Sequence, residues 1–144
     1  MPLASSPASR YHQPVMKDYL YKILRGAEWR FFDQTGSFSG SADDLRDGFI
    51  HLSAQDQLAG TLAHHFDDAD SLILLALDFS DDRQPRLKWG KSRSGALFPH
   101  YFAPLERRHI KHITPLNRGG KHQWQASSND PLAGLFLSGS PNSD

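Results

Sequence analysis

Three observations predict an α+β domain. Helix signals crowd the first half of the chain and strand signals the second. The run Ser71-Leu72-Ile73-Leu74-Leu75-Ala76-Leu77-Asp78-Phe79 is nearly unbroken in apolar residues, and its length and Asp-rich flanks suit a central strand buried on both faces. Finally, 144 residues, 38% hydrophobic and 22% charged, suit one domain with a real hydrophobic core. The expected order is β-α-α-β-α-β-β-β-β, which argues against a doubly wound parallel sheet.

Residues 1–18 mix Pro, Ser and Ala without periodicity and are expected to form a flexible tail ahead of a single domain over 19–116. Tyr19 to Leu24 reads as the first strand. If Leu20, Lys22 and Leu24 share one face, Tyr19, Tyr21 and Ile23 share the other, so either choice places a polar atom in a core or a cleft. Ala27 to Gln34 reads as a short helix closed by Gly36. Gly36 to Gly40 is a small-residue loop, after which Ser41 caps an acidic helical turn at Ala42-Asp43-Asp44-Leu45. Asp47-Gly48 turns the chain into the strand Phe49-Ile50-His51-Leu52-Ser53.

Ser53 is expected to cap the strongest helix, Ala54 to Phe66, whose apolar face is Leu58, Leu62 and Phe66. Arg86 to Trp89 alternates as a strand, and Lys91 to Gly95 is a basic loop. Leu97 to Phe102 follows, with Pro99 arguing for an edge or irregular position. Pro104-Leu105-Glu106 reads as a turn, and His109 to Leu116 as the last strand. Residues 117–144 read as a mostly flexible tail, with an apolar patch from Leu132 to Leu137 able to dock back.

Composition excludes several functions. With no cysteine there is no disulfide, thiolate catalysis or cysteine-ligated zinc. Sixteen Lys and Arg balance sixteen Asp and Glu, which lacks the footprint of a general nucleic-acid binder. No segment has the apolar length of a secretory signal or a membrane span, so the expectation is a cytoplasmic protein without membrane partners.

The leading constellation is His51 with Ser53. Alternation sets Phe49, His51 and Ser53 on one face and sends Ile50 and Leu52 to the core. An imidazole beside a hydroxyl can bind a polar or anionic group; equally, it can be a satisfied histidine next to a capping serine. The polar stripe Gln57, Thr61 and His64 or His65 meets solvent or lines the same cleft. His100, between Pro99 and Tyr101, suits contact with a ring or proton transfer as well as ordinary packing at a sheet edge. Arg93, in Lys91-Ser92-Arg93-Ser94-Gly95, fits either a phosphate contact or a solvated basic turn. Trp89 reads as core rather than as a stacking platform. His109 and His112 would share a face only in a helix, and the strand pattern there removes them as metal ligands; no metal site is expected.

Taken together, Asp47 to Ser53 with Gln57 and Thr61, then Leu87-Lys88-Trp89, then Phe98-Pro99-His100, resemble domain-of-unknown-function family 952. Tyr21-Lys22-Ile23, Ala27-Glu28-Trp29 and Gly40-Ser41 add to the resemblance, which spans residues 19 to 116. It implies a split antiparallel sheet similar to the ADP-ribosyltransferase fold, around a cleft that holds NAD in enzymatic members. On that resemblance His51 and His100 are catalytic candidates. Lys22, Ser41, Ser53, Gln57, Thr61, Trp89, Arg93 and Phe98 are ligand-binding candidates. Two departures stand out: Gly90 follows Trp89 where the family commonly has an acid, and Phe102-Ala103 stands where it tends to have Tyr-Gly.

The expected function is therefore a protein that binds or acts on NAD or a related nucleotide, as a glycosyl (ADP-ribosyl) transferase or glycohydrolase-like enzyme, with no cofactor required. The alternative is a non-catalytic small-metabolite-binding or protein-interaction module.

Overall fold

The computed structural model describes residues 19–84, 86–92, 94–120, 123–127 and 130. Strand β1 (Leu20–Leu24) leads into helix α1 (Gly26–Thr35), which ends at Gly36. A short β2 (Ser37–Phe38) precedes α2 (Ala42–Asp47) and β3 (Ile50–His51). A 3-10 turn (Gln55–Gln57) opens α3 (Leu58–His65). The rest is mainly strand: β4 (Ser71–Leu77), β5 (Leu87–Lys91), β6 (Leu97–Tyr101), β7 (Leu105–Glu106), β8 (Ile110–Gly120) and β9 (Gln123–Gln125). The architecture is α+β with antiparallel sheets. A four-stranded sheet runs in the order β9-β8-β4-β1, a three-stranded sheet in the order β3-β6-β5, and β2 pairs with β7.

The unbroken apolar run is explained by its place. β4 lies between β1 and β8, and its alternate side chains enter two different cores. Leu72, Leu74 and Ala76 meet Tyr21, Ile23, Leu116 and Trp124 under Leu58 and Leu62 of α3. Leu75 and Leu77 face the other way, toward Phe32, Phe38, Ile50, Leu52, Tyr101 and Leu105. The large sheet thus carries α3 on one face, and α1 with the smaller sheets on the other.

Several sequence expectations change. β6 is the central strand of the small sheet, although it contains Pro99. Leu52 donates its N–H to the Pro99 carbonyl, but the reciprocal bond needs an N–H that proline lacks. The ladder stops there. One residue later the chain changes partner: Ser53 and Tyr21 exchange both backbone bonds, joining the small sheet to β1 of the large one. Ser53 therefore does not cap the helix; the Ala54 N–H is held by the Gln57 side chain, and α3 proper begins at Leu58.

The last strand does not end at Leu116 but continues to Gly120 and returns as β9. Its one large apolar anchor, Trp124, is buried beneath the Arg118 guanidinium, which also donates to the carbonyls of Phe66, Asp67 and Ala69. A single buried tryptophan covered by an arginine, on an otherwise exposed hairpin, makes the segment look polar in sequence. The 36–40 loop and the 104–106 turn, in turn, supply β2 and β7. Residues 1–18 and the Leu132 to Leu137 patch lie outside the described residues.

Candidate functional site

The site grows from α2. Ser41 caps this helix through its Oγ, which accepts the Asp44 N–H at 3.2 Å, while Asp44 Oδ2 accepts the Ser41 N–H at 2.9 Å. The Asp44 side chain is only 1% exposed, because Gly40 lets the preceding chain pass directly over it: a Cβ at 40 would lie 2.6 Å from the Asp44 Cβ. The helix ends at Gly48, whose φ of 86° turns the chain sharply into Phe49 and β3. That turn brings His51 back onto Asp44. The Asp44 Oδ1 meets the His51 Nδ1 at 2.6 Å and accepts the His51 N–H at 3.1 Å.

Lys22 reaches the same carboxylate from β1, with Nζ 2.9 Å from Asp44 Oδ2 and 2.9 Å from the His51 carbonyl. Burial pushes the Asp44 carboxyl up, but the His51 hydrogen bond, the Lys22 charge and the Ser41 N–H together hold it well below the usual carboxylate range. An ionised carboxylate can only accept, so the His51 Nδ1 carries a proton toward it. The opposite ring nitrogen, Nε2, lies 3.0 Å from Asp47 Oδ2, and the His51 side chain keeps 38% of its surface exposed.

β6 contributes the second imidazole. His100 pairs with His51 on one side and Lys88 on the other, so the three share one face of the small sheet. The His100 ring stacks on Phe49 at 4.0 Å between centroids, and Phe49 also contacts Phe102 at 5.3 Å. Lys88 Nζ sits 5.7 Å from the Phe102 ring centroid. Gly90 is what lets His100 lie flat: a Cβ there would be 2.8 Å from both Cε1 and Nδ1 of that ring. An acidic side chain at position 90 would collide with His100 as it is placed here. Burial, then the neighbouring His51, lowers the His100 pKa, with Asp47 opposing.

The structure therefore brings His51, His100 and Phe98 to one face, with Ser41 and Lys22 behind it holding Asp44. Lys22 is consumed by Asp44 and the His51 carbonyl instead of being offered to a pyrophosphate. Ser53 is buried, with its Oγ 3.0 Å from Thr61 Oγ1, so these two hydroxyls bond each other away from the imidazoles. Gln57 spans the Ala54 N–H and the Leu97 carbonyl. Trp89, read as core, is 52% exposed; it points to the face opposite His100, paired across from Pro99 and beyond the buried cluster. Arg93 lies outside the described residues.

Sequence reasoning missed Asp44 and Asp47 as site residues, having read them as a cap and a turn. The available signal was their spacing, three apart on a helical turn and just ahead of a strand histidine. It also missed a second network, in which Asp82 accepts from the Tyr101 hydroxyl, from His109 Nε2 at 3.1 Å and from Arg108 at 2.9 Å. The Glu106 N–H donates to His109 Nδ1, which fixes the proton on Nε2. Among the described residues no three His, Asp or Glu side chains converge as metal ligands, and no helix is long and apolar enough to cross a membrane.

Comparison with known proteins gives a consistent family but no activity. The chain is similar to protein CC0527 of Caulobacter crescentus. Its crystal structure is 41% identical over 74% of this chain and 93% of that one, with a TM-score of 0.67. The solution structure of the same protein is 37% identical over 83% and 97%, with a TM-score of 0.66. No curated protein matches. A family model described as Protein of unknown function (DUF952) matches residues 23–113, which run from within β1 into β8 and include Ser41, Asp44, Asp47, His51 and His100, with Lys22 one residue ahead of the match. The chain belongs to this family of proteins of unknown function, DUF952.

Proposed function

We propose that the open face of the small sheet binds NAD or a related nucleotide. The observation that carries this reading is the Lys22–Asp44–His51 network: a sealed, ionised carboxylate aims a partly exposed imidazole at 2.6 Å, beside a shelf of stacked rings. Phe102, 46% exposed, and the half-buried Phe49 offer flat surface to a base, backed by the buried His100 ring. Lys88 is exposed at the end of the same row and offers a cation to phosphate. His51 offers hydrogen bonds to ribose hydroxyls. The four- and three-stranded antiparallel sheets, linked along their backbones at the Tyr21–Ser53 bridge, support the resemblance to an ADP-ribosyltransferase-like split sheet.

In the catalytic form of this reading the C1′–N bond breaks with its electron pair leaving on nicotinamide. Water adds at C1′ and gives up a proton to His51 or Asp47. Asp47 is the carboxylate of the network that reaches the surface, and it faces the charge developing at C1′. A second reading, binding without turnover, is favoured by Asp47 being held by both Arg46 and His51. Calorimetry with NAD, together with chromatographic detection of nicotinamide, separates the two. Release that His51→Ala abolishes supports the enzyme. Saturable binding without release leaves the binding module, and no binding of any nucleotide defeats both.

A further inference from the structure

The reverse of the small sheet carries a second recess. β6 alternates, so Tyr101 points away from the His100 face, and Leu87 is its partner on β5. Beyond that pair the described residues from Leu77 to Arg83, with Arg86 and Leu87, line a cleft of about 480 Å³, within the usual range of small-molecule pockets. Its walls include the apolar side chains of Leu20, Leu77, Phe79 and Leu87, and its polar lining sets Arg83 and Arg86 against Ser80 and the carboxylates of Asp78 and Asp82.

The charges here are unevenly used. Asp82 has both oxygens engaged, by Tyr101 on one and by His109 and Arg108 on the other. Asp78 holds the Ser80 N–H. Arg83 and Arg86 are both exposed, and among the described residues neither has a carboxylate within ion-pair distance. Two guanidiniums at the mouth of an apolar recess, with the nearest buried acid already saturated, make a host for an anion that carries an apolar body.

We propose that this cleft binds a small organic anion, a carboxylate or phosphate monoester on an aromatic or short aliphatic group. The apolar part lies against Leu20, Phe79 and Leu87, and the charged end is gripped by Arg83 and Arg86. The site stands apart from the nucleotide reading, being on the opposite face of β6.

The test is a titration of isotope-labelled protein followed by amide shifts, with phenyl phosphate and benzoate as probes and with phenol and inorganic phosphate as controls, at fixed ionic strength. The expected result is saturable shifts centred on residues 77–87 and Leu20 with at least one of the two probes. Each control should bind about tenfold more weakly or worse, since it lacks half of the recognition. The double substitution Arg83→Gln and Arg86→Gln, with the rest of the spectrum unchanged, should weaken probe binding about tenfold or more. Absence of saturable shifts with either probe overturns the proposal. So does equal binding of phenol, shifts centred on Phe49 to His51, or binding unaffected by the double substitution.

Discussion

Replacing Asp44 by asparagine keeps the shape of the side chain and removes its charge. In the folded protein that charge faces four donors: the Ser41 and His51 backbone N–H groups, His51 Nδ1 and Lys22 Nζ. Summing four charge-assisted bonds would overcount, because the unfolded chain solvates the same groups in water. The relevant loss is the counter-ion of Lys22, whose side chain is only 8% exposed. Breaking a buried pair by removing one partner costs about 3–5 kcal/mol, a large share of the roughly 5–15 kcal/mol that holds a domain folded. Urea unfolding at pH 7 should show that loss at unchanged m-value. The dependence on pH has a definite sign. Since the folded carboxyl is held below its ordinary value, its contribution is complete above about pH 4 and fades as acid protonates it, by up to about 1.4 kcal/mol per pH unit. The gap between wild type and variant should therefore narrow below pH 4. Lys22→Met combined with Asp44→Leu should cost less than Asp44→Asn alone, because both charges leave together. A loss under about 1 kcal/mol, or a gap that holds constant into acid, would refute the account of Asp44 as the anchor of this network.

Three further outcomes are expected. Gly90→Ala places a methyl where His100 now lies and should destabilise by about 1–3 kcal/mol while shifting the His100 and Phe49 ring resonances; an unchanged ring spectrum would show that His100 does not rest there. Asp82→Ala strands the buried donors of Tyr101 and His109, costing about 1–3 kcal/mol each, and should lower the melting temperature while exposing residues 78–86 to amide exchange; a neutral effect would show the network to be idle. His100 should titrate below the ordinary histidine value by proton NMR, because burial disfavours its charged form. The unfolded chain then takes up the proton first, so this residue withdraws stability as pH falls below about 6.5. A midpoint above that value would contradict the burial argument.

The sequence made local structure legible wherever one periodicity governed it. Ser41 as a cap, Gly36 as a helix end, Ile50 and Leu52 as core, and the two-sided burial of the 71–77 run all follow from single elements. What escaped were features set by two segments at once. Pro99 is admissible in a central strand only because its missing N–H falls where β3 stops. Trp124 is buried only because Arg118 returns over it from the neighbouring strand. Ser53 shares the face of His51 by alternation, yet the switch to Tyr21 turns it toward Thr61. In the site itself, His51 was visible as a lone imidazole. Its controller, Asp44, was hidden because a capping-box acid usually faces water, and nothing in the sequence says that Gly40 will seal it.

The partner switch at Leu52 and Ser53 explains why the His51 network is tied to the core. β1 pairs its backbone with Ser53 through Tyr21, and the next residue, Lys22, projects to the opposite face and meets Asp44. One strand thus fixes both the main chain just after His51 and the carboxylate behind its ring. A buried ion pair is weak evidence for stability in itself, so the Lys22–Asp44 charges are better explained by what they hold in place. What the ion pair provides, and a leucine would not, is direction. With Nδ1 drawn to Asp44, Nε2 is turned outward to the rim beside Asp47, on the same face as His100 and Phe49. The orientation of a partly exposed imidazole is thus set by a charge that solvent does not reach, while Asp47 meets its second nitrogen at the rim.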